Sequence, residues 1–243
     1  MDYDENTKIS IAQYNVVVYD SVNNMICKGI YAYSNEKQHK LFITQTPTAM
    51  LVDNADTLYM HSDTIYATTT ASNEFETIEA YHHVKFYRSD IQGSCDSVFY
   101  NVADSLMTMY YTPIIWSEEN QFTADTIVMK LDSSGVKQIF FNNNAFISQK
   151  IDKNKFNQIN GKTAIVYLDG KNPLYSDIIG NAQSIYYLTE KDETGQETLL
   201  GVNVGIGSGI RIYFDKKFDI VASVDGKFRV LFGSPADMTL KLA

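Results

Sequence analysis

Cysteine, proline, tryptophan and basic side chains are all scarce in this chain, and each scarcity removes a class of protein. Two cysteines among 243 residues, Cys27 and Cys95, do not make a disulfide framework. A single Cys27–Cys95 pairing in an oxidising compartment stays open at this point. Four prolines and 13 glycines exclude a collagenous or low-complexity chain. Lysine and arginine number 20 against 29 acidic residues, a formal charge of −9. That balance argues against a nucleic-acid partner, because phosphate binding depends on clustered cations. No apolar run approaches the ~18 residues that a membrane-spanning helix needs. No window of about eleven residues repeats its apolar positions at the helical period, so helix is expected to be minor. The opening Met1-Asp2-Tyr3-Asp4-Glu5 is acidic where a secretory leader is basic. The expectation is a cytoplasmic protein, or a mature or truncated chain without its leader.

What the chain has in quantity is aromatic and alternating sequence. Its 17 tyrosines and 13 phenylalanines favour strands, where rings pack well on a pleated surface. Val16 to Tyr19, Met25 to Tyr33 and Lys40 to Thr44 read as strands, with a turn at Ser34-Asn35-Glu36-Lys37. Segments 81–88, 105–111 and 121–131 alternate at period two. Turns are expected at Ser133-Ser134-Gly135, Asp169-Gly170, Thr194-Gly195 and Asp225-Gly226, the last closing a hairpin of 218–224 on 227–232. The polar stretch 68–76 reads as a loop rather than a domain boundary. One continuous β region over 1–243 is the expected organisation.

A phrase recurs: Ala55-Asp56-Thr57, Cys95-Asp96-Ser97 and Ala124-Asp125-Thr126, each leading into an alternating strand, with echoes at Ser62-Asp63-Thr64 and Ala103-Asp104-Ser105. Such recurrence means stacked, similar β units and favours a long surface over one catalytic pocket. An Asp followed by Ser or Thr can bond nearby backbone and set a bend as a strand begins. The same repetition weakens a glycosidase reading of Asp56 with Asp63, or Asp96 with Asp104, since a catalytic pair would be singular. Adjacent His82 and His83 would point to opposite strand faces, and His61 with Asp63 lacks a third ligand, so no metal is expected. Cys95 has no neighbour that would lower its pKa and reads as a small buried residue. Gly205-Ile206-Gly207-Ser208-Gly209 superficially matches a phosphate-cradling loop but runs into the strand sequence Ile210-Arg211-Ile212, not a helix. No catalytic residue and no cofactor is expected.

In the alternating strands Leu58 with Met60, Val84 with Phe86, Val98 with Tyr100, and Ile127 with Met129 share one facing; Ile165 and Ile185 are placed in the same phase. They form a one-sided apolar wall that could line a lumen or simply be a packed core.

The run Tyr81-His82-His83-Val84-Lys85-Phe86-Tyr87-Arg88 through Gly93-Ser94-Cys95-Asp96-Ser97 resembles the organic-solvent-tolerance (OstA-like) family of Gram-negative envelope proteins. Ala103-Asp104-Ser105-Leu106-Met107-Thr108-Met109-Tyr110, with Pro113 and Trp116 downstream, resembles it too, as does Gly180-Asn181-Ala182-Gln183-Ser184-Ile185-Tyr186-Tyr187. The likeness is strongest over 81–187 and fits the C-terminal portion of a long multi-repeat member, so the chain is expected to be a fragment of a longer exported protein. The resemblance implies an all-β jellyroll, a V-shaped stack of antiparallel strands, without enzymatic activity. It implies a periplasmic or outer-membrane-associated module for lipopolysaccharide transport. Lipopolysaccharide or a related lipid would be one partner, and other β-jellyroll transport proteins, joined edge to edge, another; self-association through sheet edges is a further expectation. Leu58, Met60, Val84, Phe86, Val98, Tyr100, Ile127, Met129, Ile165 and Ile185 would then line the lipid-binding lumen. The competing expectation is a packed β-solenoid interaction or adhesion scaffold of the envelope.

Overall fold

A computed structural model describes residues 1–20, 24–52, 56–132, 135–169, 172–191, 197–214 and 220–223. In chain order the strands begin β1 (Asp2–Asp4), β2 (Ile9–Asp20), β3 (Met25–Asn35), β4 (Lys40–Thr44), β5 (Thr48–Val52) and β6 (Thr57–His61). They continue β7 (Thr64–Thr69), β8 (Phe75–Arg88), β9 (Ile91–Asn101), β10 (Leu106–Tyr110), β11 (Ile114–Ser117) and β12 (Asn120–Thr123). The last are β13 (Thr126–Asp132), β14 (Gly135–Lys150), β15 (Phe156–Asp169), β16 (Asn172–Lys191), β17 (Glu197–Phe214) and β18 (Ile220–Ser223). Among the described residues the helical segment is one 3₁₀ turn, Glu36–Gln38, capped by the Asn35 side chain, which accepts from the Gln38 N–H at 3.1 Å. The turn residues Ser133-Ser134, Gly170, Thr194-Gly195 and Asp225-Gly226, the arm 227–232, and Ala55 lie outside the described residues.

The contacts divide the chain into two compact units, Met1–Glu118 with Thr126–Asp132, and Glu119–Asp125 with Ser133–Ala243. The alternating run at 121–131 is therefore not one strand. It breaks at Ala124-Asp125, and its halves pair differently, β12 with β14 and β13 with β10. The polar stretch 68–76 is the closed end of the β7–β8 hairpin, where Thr70 N–H donates to Glu74 C=O at 2.8 Å. Gly205 to Gly209 lie inside β17 as strand.

Within the first unit the long strands bend along one line, and the bend separates two antiparallel leaves. The first leaf runs β1, the first half of β2, the second half of β3, β4, β7, the first half of β8, the second half of β9, β10 and β13. The other halves of β2, β3, β8 and β9 join β5, β6 and β11 in the second leaf. This is the antiparallel β-jellyroll arrangement. The bend is made by pairs of left-handed residues: Tyr14-Asn15 in β2 (φ 63° and 44°) and His82-His83 in β8 (φ 49° and 56°). The pairing register skips at both places. Where no long strand crosses, the chain turns at Gln45-Thr46-Pro47 or Tyr111-Thr112-Pro113, again with positive φ before the proline. A left-handed non-glycine residue costs about 1–2 kcal/mol, and Asn and His are among those that tolerate it best. The second unit bends by the same device at Asn143-Asn144 in β14 and Gly180-Asn181 in β16, with a matching register skip in β15.

The core follows the bend. Ile43, Ile65, Ala80, Val98, Met109 and Ile127 stand in one row across the first leaf and all are buried. Small residues and prolines occupy the bend: Pro47, Ser62, Val84, Cys95 and Pro113 are buried there, and a Cβ on Gly29 would meet Ile43 Cγ2 at 2.4 Å. Two sheets that converge leave no room for larger side chains at their apex. The corresponding row of the second unit is Phe141, Ala164, Ile178 and Ile210, also buried.

Truncation of Met109, which has no exposed surface, is expected to destabilise the unit by about 2–5 kcal/mol in a urea titration. A Cβ on Gly93 would lie 2.4 Å from Phe86 Cζ and 2.7 Å from the Ile114 carbonyl oxygen, and the second cannot swing away. Gly93→Ala is therefore expected to cost about 1–3 kcal/mol in the same measurement.

Candidate functional site

The inner face of the first unit is a graded apolar surface. At the bend Val84 is fully buried, and so is the neighbouring row through Ala80 and Ile127. One step outward the first leaf presents Leu41, Ala67, Ile78, Tyr100, Met107 and Met129 in register. Of these Leu41, Ile78, Tyr100 and Met107 are only half-buried. The second leaf presents Cys27, Ala49, Met60, Phe86, Gly93 and Ile115 in one row, with Met60 and Phe86 half-buried, and Leu51 and Leu58 one step further out. Apolar groups that the protein's own packing does not cover lie farther from the bend. The arrangement can shelter hydrocarbon but holds no reacting groups.

Eight of the ten residues expected on this wall share its facing. Val84, Val98, Ile127 and Met129 are its packed floor, while Leu58, Met60, Phe86 and Tyr100 stay partly accessible. Ile165 and Ile185 fall in the alternate rows of the second unit. Ile165 pairs with Phe140 and Asp177, whereas the buried row passes through Ala164 and Val166. Ile185 is 37% exposed, beside buried Ala182 and half-buried Ser184 of the inner row. Thr163-Ala164-Ile165-Val166-Tyr167 carries apolar residues in both phases, and Ala182-Gln183-Ser184-Ile185-Tyr186 mixes polar and apolar in each, so period two does not choose a face. Leu41, Ile78 and Met107 were missed; Ile78 and Met107 carry the alternation signal, in Thr77-Ile78-Glu79-Ala80 and Leu106-Met107-Thr108-Met109.

Polar chemistry gathers on the bend, and it is structural. His83 Nδ1 lies 2.9 Å from Asp63, and the Asp63 N–H donates to Tyr81 and His82 carbonyls at 3.1 and 3.0 Å. The second unit repeats the motif: Asn144 donates to both Asp125 oxygens at 3.0 and 3.1 Å, and Asp125 N–H donates to Asn143 C=O at 3.0 Å. His82 Nδ1 reaches Asp96 at 3.2 Å, and Ser97 donates its hydroxyl to Asp96 at 2.6 Å. The two histidines thus serve two different aspartates as corner residues rather than alternating along a flat strand. Asp56 is not at the bend. It accepts from Thr57 N–H at 2.7 Å, from Ser89 N–H at 3.0 Å and from the Ser89 hydroxyl, tying β6 to the β8–β9 turn. Asp104 lies in the β9–β10 turn. Among the described residues no group of three or more His, Cys, Asp or Glu could hold a metal.

Both cysteines are free and buried. Burial pushes Cys27 up to about 11 and Cys95 up to about 12, so neither is a thiolate at neutral pH. Strands β5, β6 and β8 lie between theirs, a separation of roughly 19 Å at about 4.8 Å per strand, beyond disulfide reach.

A family model described as LptA/(LptD N-terminal domain) LPS transport protein matches residues 1–134, more than half of the chain. The chain belongs to this LptA/LptD N-terminal-domain family. The matched residues cover the whole of the first unit, together with Glu119–Asp125 of the second; the resemblance drawn over 135–187 lies beyond them. The family is one of lipopolysaccharide transport, not of catalysis. A comparison with curated proteins finds no match. Among solved structures the chain is similar to LptH of Pseudomonas aeruginosa, described as the LptA-homologous periplasmic component of the conserved lipopolysaccharide transport device. The identity is 12% and the TM-score 0.40, over 46% of this chain and 80% of that one.

Two hydrogen-bonded carboxylates, Asp96 and Asp56, make stability acid-sensitive. Ser97 first, then His82, holds the Asp96 carboxyl below its ordinary range, and the Ser89 hydroxyl and N–H with the Thr57 N–H do the same for Asp56. A carboxyl whose folded pKa is lowered contributes stability that is complete above its unfolded value, about 4, and is lost as pH falls through the folded value. The urea midpoint is expected to be flat from about pH 7 to 5 and to fall below about pH 4. Asp96→Asn should make that acid limb shallower while lowering the neutral-pH midpoint only slightly, because the amide keeps an acceptor for Ser97.

Proposed function

We propose that this chain is a periplasmic segment of a lipopolysaccharide conduit to the outer membrane, holding acyl chains against the inner face of the first unit. The observation that carries the reading is the graded wall in the unit that matches the family. Leu58, Met60, Phe86 and Tyr100, with Leu41, Ile78 and Met107, are apolar, aligned in register and incompletely covered. Each methylene laid on such a surface gains about 0.8 kcal/mol. Several acyl chains could therefore hold an anionic lipid against a protein of formal charge −9, the phosphates staying in water. Val84, Val98, Ile127 and Met129 shape the floor beneath the chains.

The partners proposed are lipopolysaccharide itself and other jellyroll modules of the same transport system, added strand to strand. The second half of β2 supports the latter: β1 pairs only with Ile9 to Ile11, and beyond it Val17 and Tyr19 are exposed on an edge that has one described neighbour, β3. An uncovered, β-branched edge accepts another strand, of a partner or of a second copy.

A photo-crosslinking residue at Tyr100 or Met107 is expected to capture lipopolysaccharide in living envelopes. The same residue at Phe99 or Thr108, in the alternate row, should not. Capture from both rows, or from neither, would leave the packed interaction scaffold as the better account.

A further inference from the structure

The outer faces of the two leaves treat their aromatic rings differently. On the first leaf the rings satisfy one another: Phe42 packs on Tyr31, Tyr33 and Tyr66 with centroids 6.0, 5.3 and 5.3 Å away, and Tyr66 on Tyr81 at 5.7 Å. On the second leaf Tyr59 and Tyr87 are directly opposed across β6 and β8, yet make no ring contact. They remain 44% and 56% exposed. Between and beside them lies a shallow hollow of about 430 Å³, lined also by Trp116, His61, Lys85 and Gln92. Thr48 and Ser94 add hydroxyls to the lining. These eight residues belong to the first unit and to rows that alternate with the apolar inner row; Met60, Phe86 and Gly93 of that inner row also border the hollow.

The geometry points to a saccharide site in this hollow, for a sugar chain that carries an anionic substituent such as phosphate or carboxylate. Sugars present an apolar C–H face and a rim of hydroxyls, and need a flat ring beneath and polar groups around. Tyr59, Tyr87 and Trp116 supply the amphipathic rings. The His61 Nδ1 lies 2.9 Å from the Pro47 carbonyl oxygen, which can only accept; Nδ1 therefore carries the proton and Nε2 of the neutral ring is left as an acceptor. Gln92 offers both donor and acceptor, and neither it nor Lys85 has a partner among the described residues. Lys85 is an uncompensated cation in a chain of net charge −9, which selects an acidic over a neutral sugar. Convergence of rings and unused polar groups on one hollow is what a small-ligand site requires.

Trp116 is the only tryptophan, so tryptophan emission, excited at a wavelength that the 17 tyrosines do not absorb, reads this hollow directly. The full chain is titrated with acyl-free, phosphorylated lipopolysaccharide core oligosaccharide, with a hexuronic-acid oligomer, with a neutral oligosaccharide and with inorganic phosphate. A saturable change in emission with an acidic oligosaccharide is expected. It should weaken at least tenfold in Tyr87→Ala, while Lys85→Gln should weaken the acidic sugars severalfold and leave the neutral one unchanged. Both variants must keep the parent urea midpoint, as exposed positions should. Response to the core alone makes the ligand the sugar end of the transported lipid, and response to the uronic-acid oligomer makes it another envelope glycan; either supports the site. No response at millimolar sugar, an equal response in both variants, or an equal response to phosphate alone overturns it. Crosslinking at Tyr100 continues to report the lipid wall, so loss of one reading leaves the other standing.

Discussion

The bend governs everything else in this protein. Strands of a dozen or more residues can serve two converging leaves only if each changes direction at the same level. That change places non-glycine residues in the left-handed region, a cost of about 1–2 kcal/mol each. The cost is offset locally. An aspartate in the short break between two neighbouring strands takes up the corner side chain and returns its own N–H to the corner carbonyl, as Asp63 does with His82-His83 and Asp125 with Asn143-Asn144. Residue choice at the apex follows from the same geometry. Gly29 is pressed against Ile43, and Pro47, Ser62 and Pro113 fill the remaining space without bulk.

Once the bend is in place, a gradient across the inner face is unavoidable. Near the apex the leaves bury each other's aliphatic side chains completely, as at Ala80, Val84 and Ile127. Farther from it, Tyr100, Met107, Met60 and Phe86 are left partly uncovered. A fold of this kind needs no excavated pocket to hold hydrocarbon. The outer faces are free of that duty, and the rings there either stack with one another, as around Phe42, or stand apart, as at Tyr59 and Tyr87.

Much of this was legible because strand chemistry is local. Period two in 81–88 placed Phe86 on its face; the same period at 97–101 did so for Tyr100. The recurring Asp-Ser/Thr phrase was expected to bind nearby backbone; the Asp56 carboxylate does so, whereas those of Asp96 and Asp125 bond side chains, and the phrase merged two locations. Asp96 and Asp125 sit on the bend with Asp63, whereas Asp56 ties an outer turn to Ser89. Asp96 falls inside β9 rather than at a strand start, so the phrase alone does not say which location it marks. The residues placed in the other phase, Ile165 and Ile185, lie where alternation does not single out a face, and the structure buries Ala164 and Ala182 instead.

The amino-acid sequence by itself determined a strand-rich chain and the facing of residues such as Leu58, Met60, Val84, Phe86, Val98 and Tyr100, because these follow from side-chain alternation within a few residues. Tertiary structure alone decided where the bend falls, that β12 and β13 part into different units, that Cys27 and Cys95 stay apart, and which apolar residues remain uncovered. Each of those depends on partners 15 to 30 or more residues away, such as Asp63 for His83 and Tyr59 for Tyr87. A strand's own residues set which side chains share a face, but only the strands beside and across from it set how much of that face is covered.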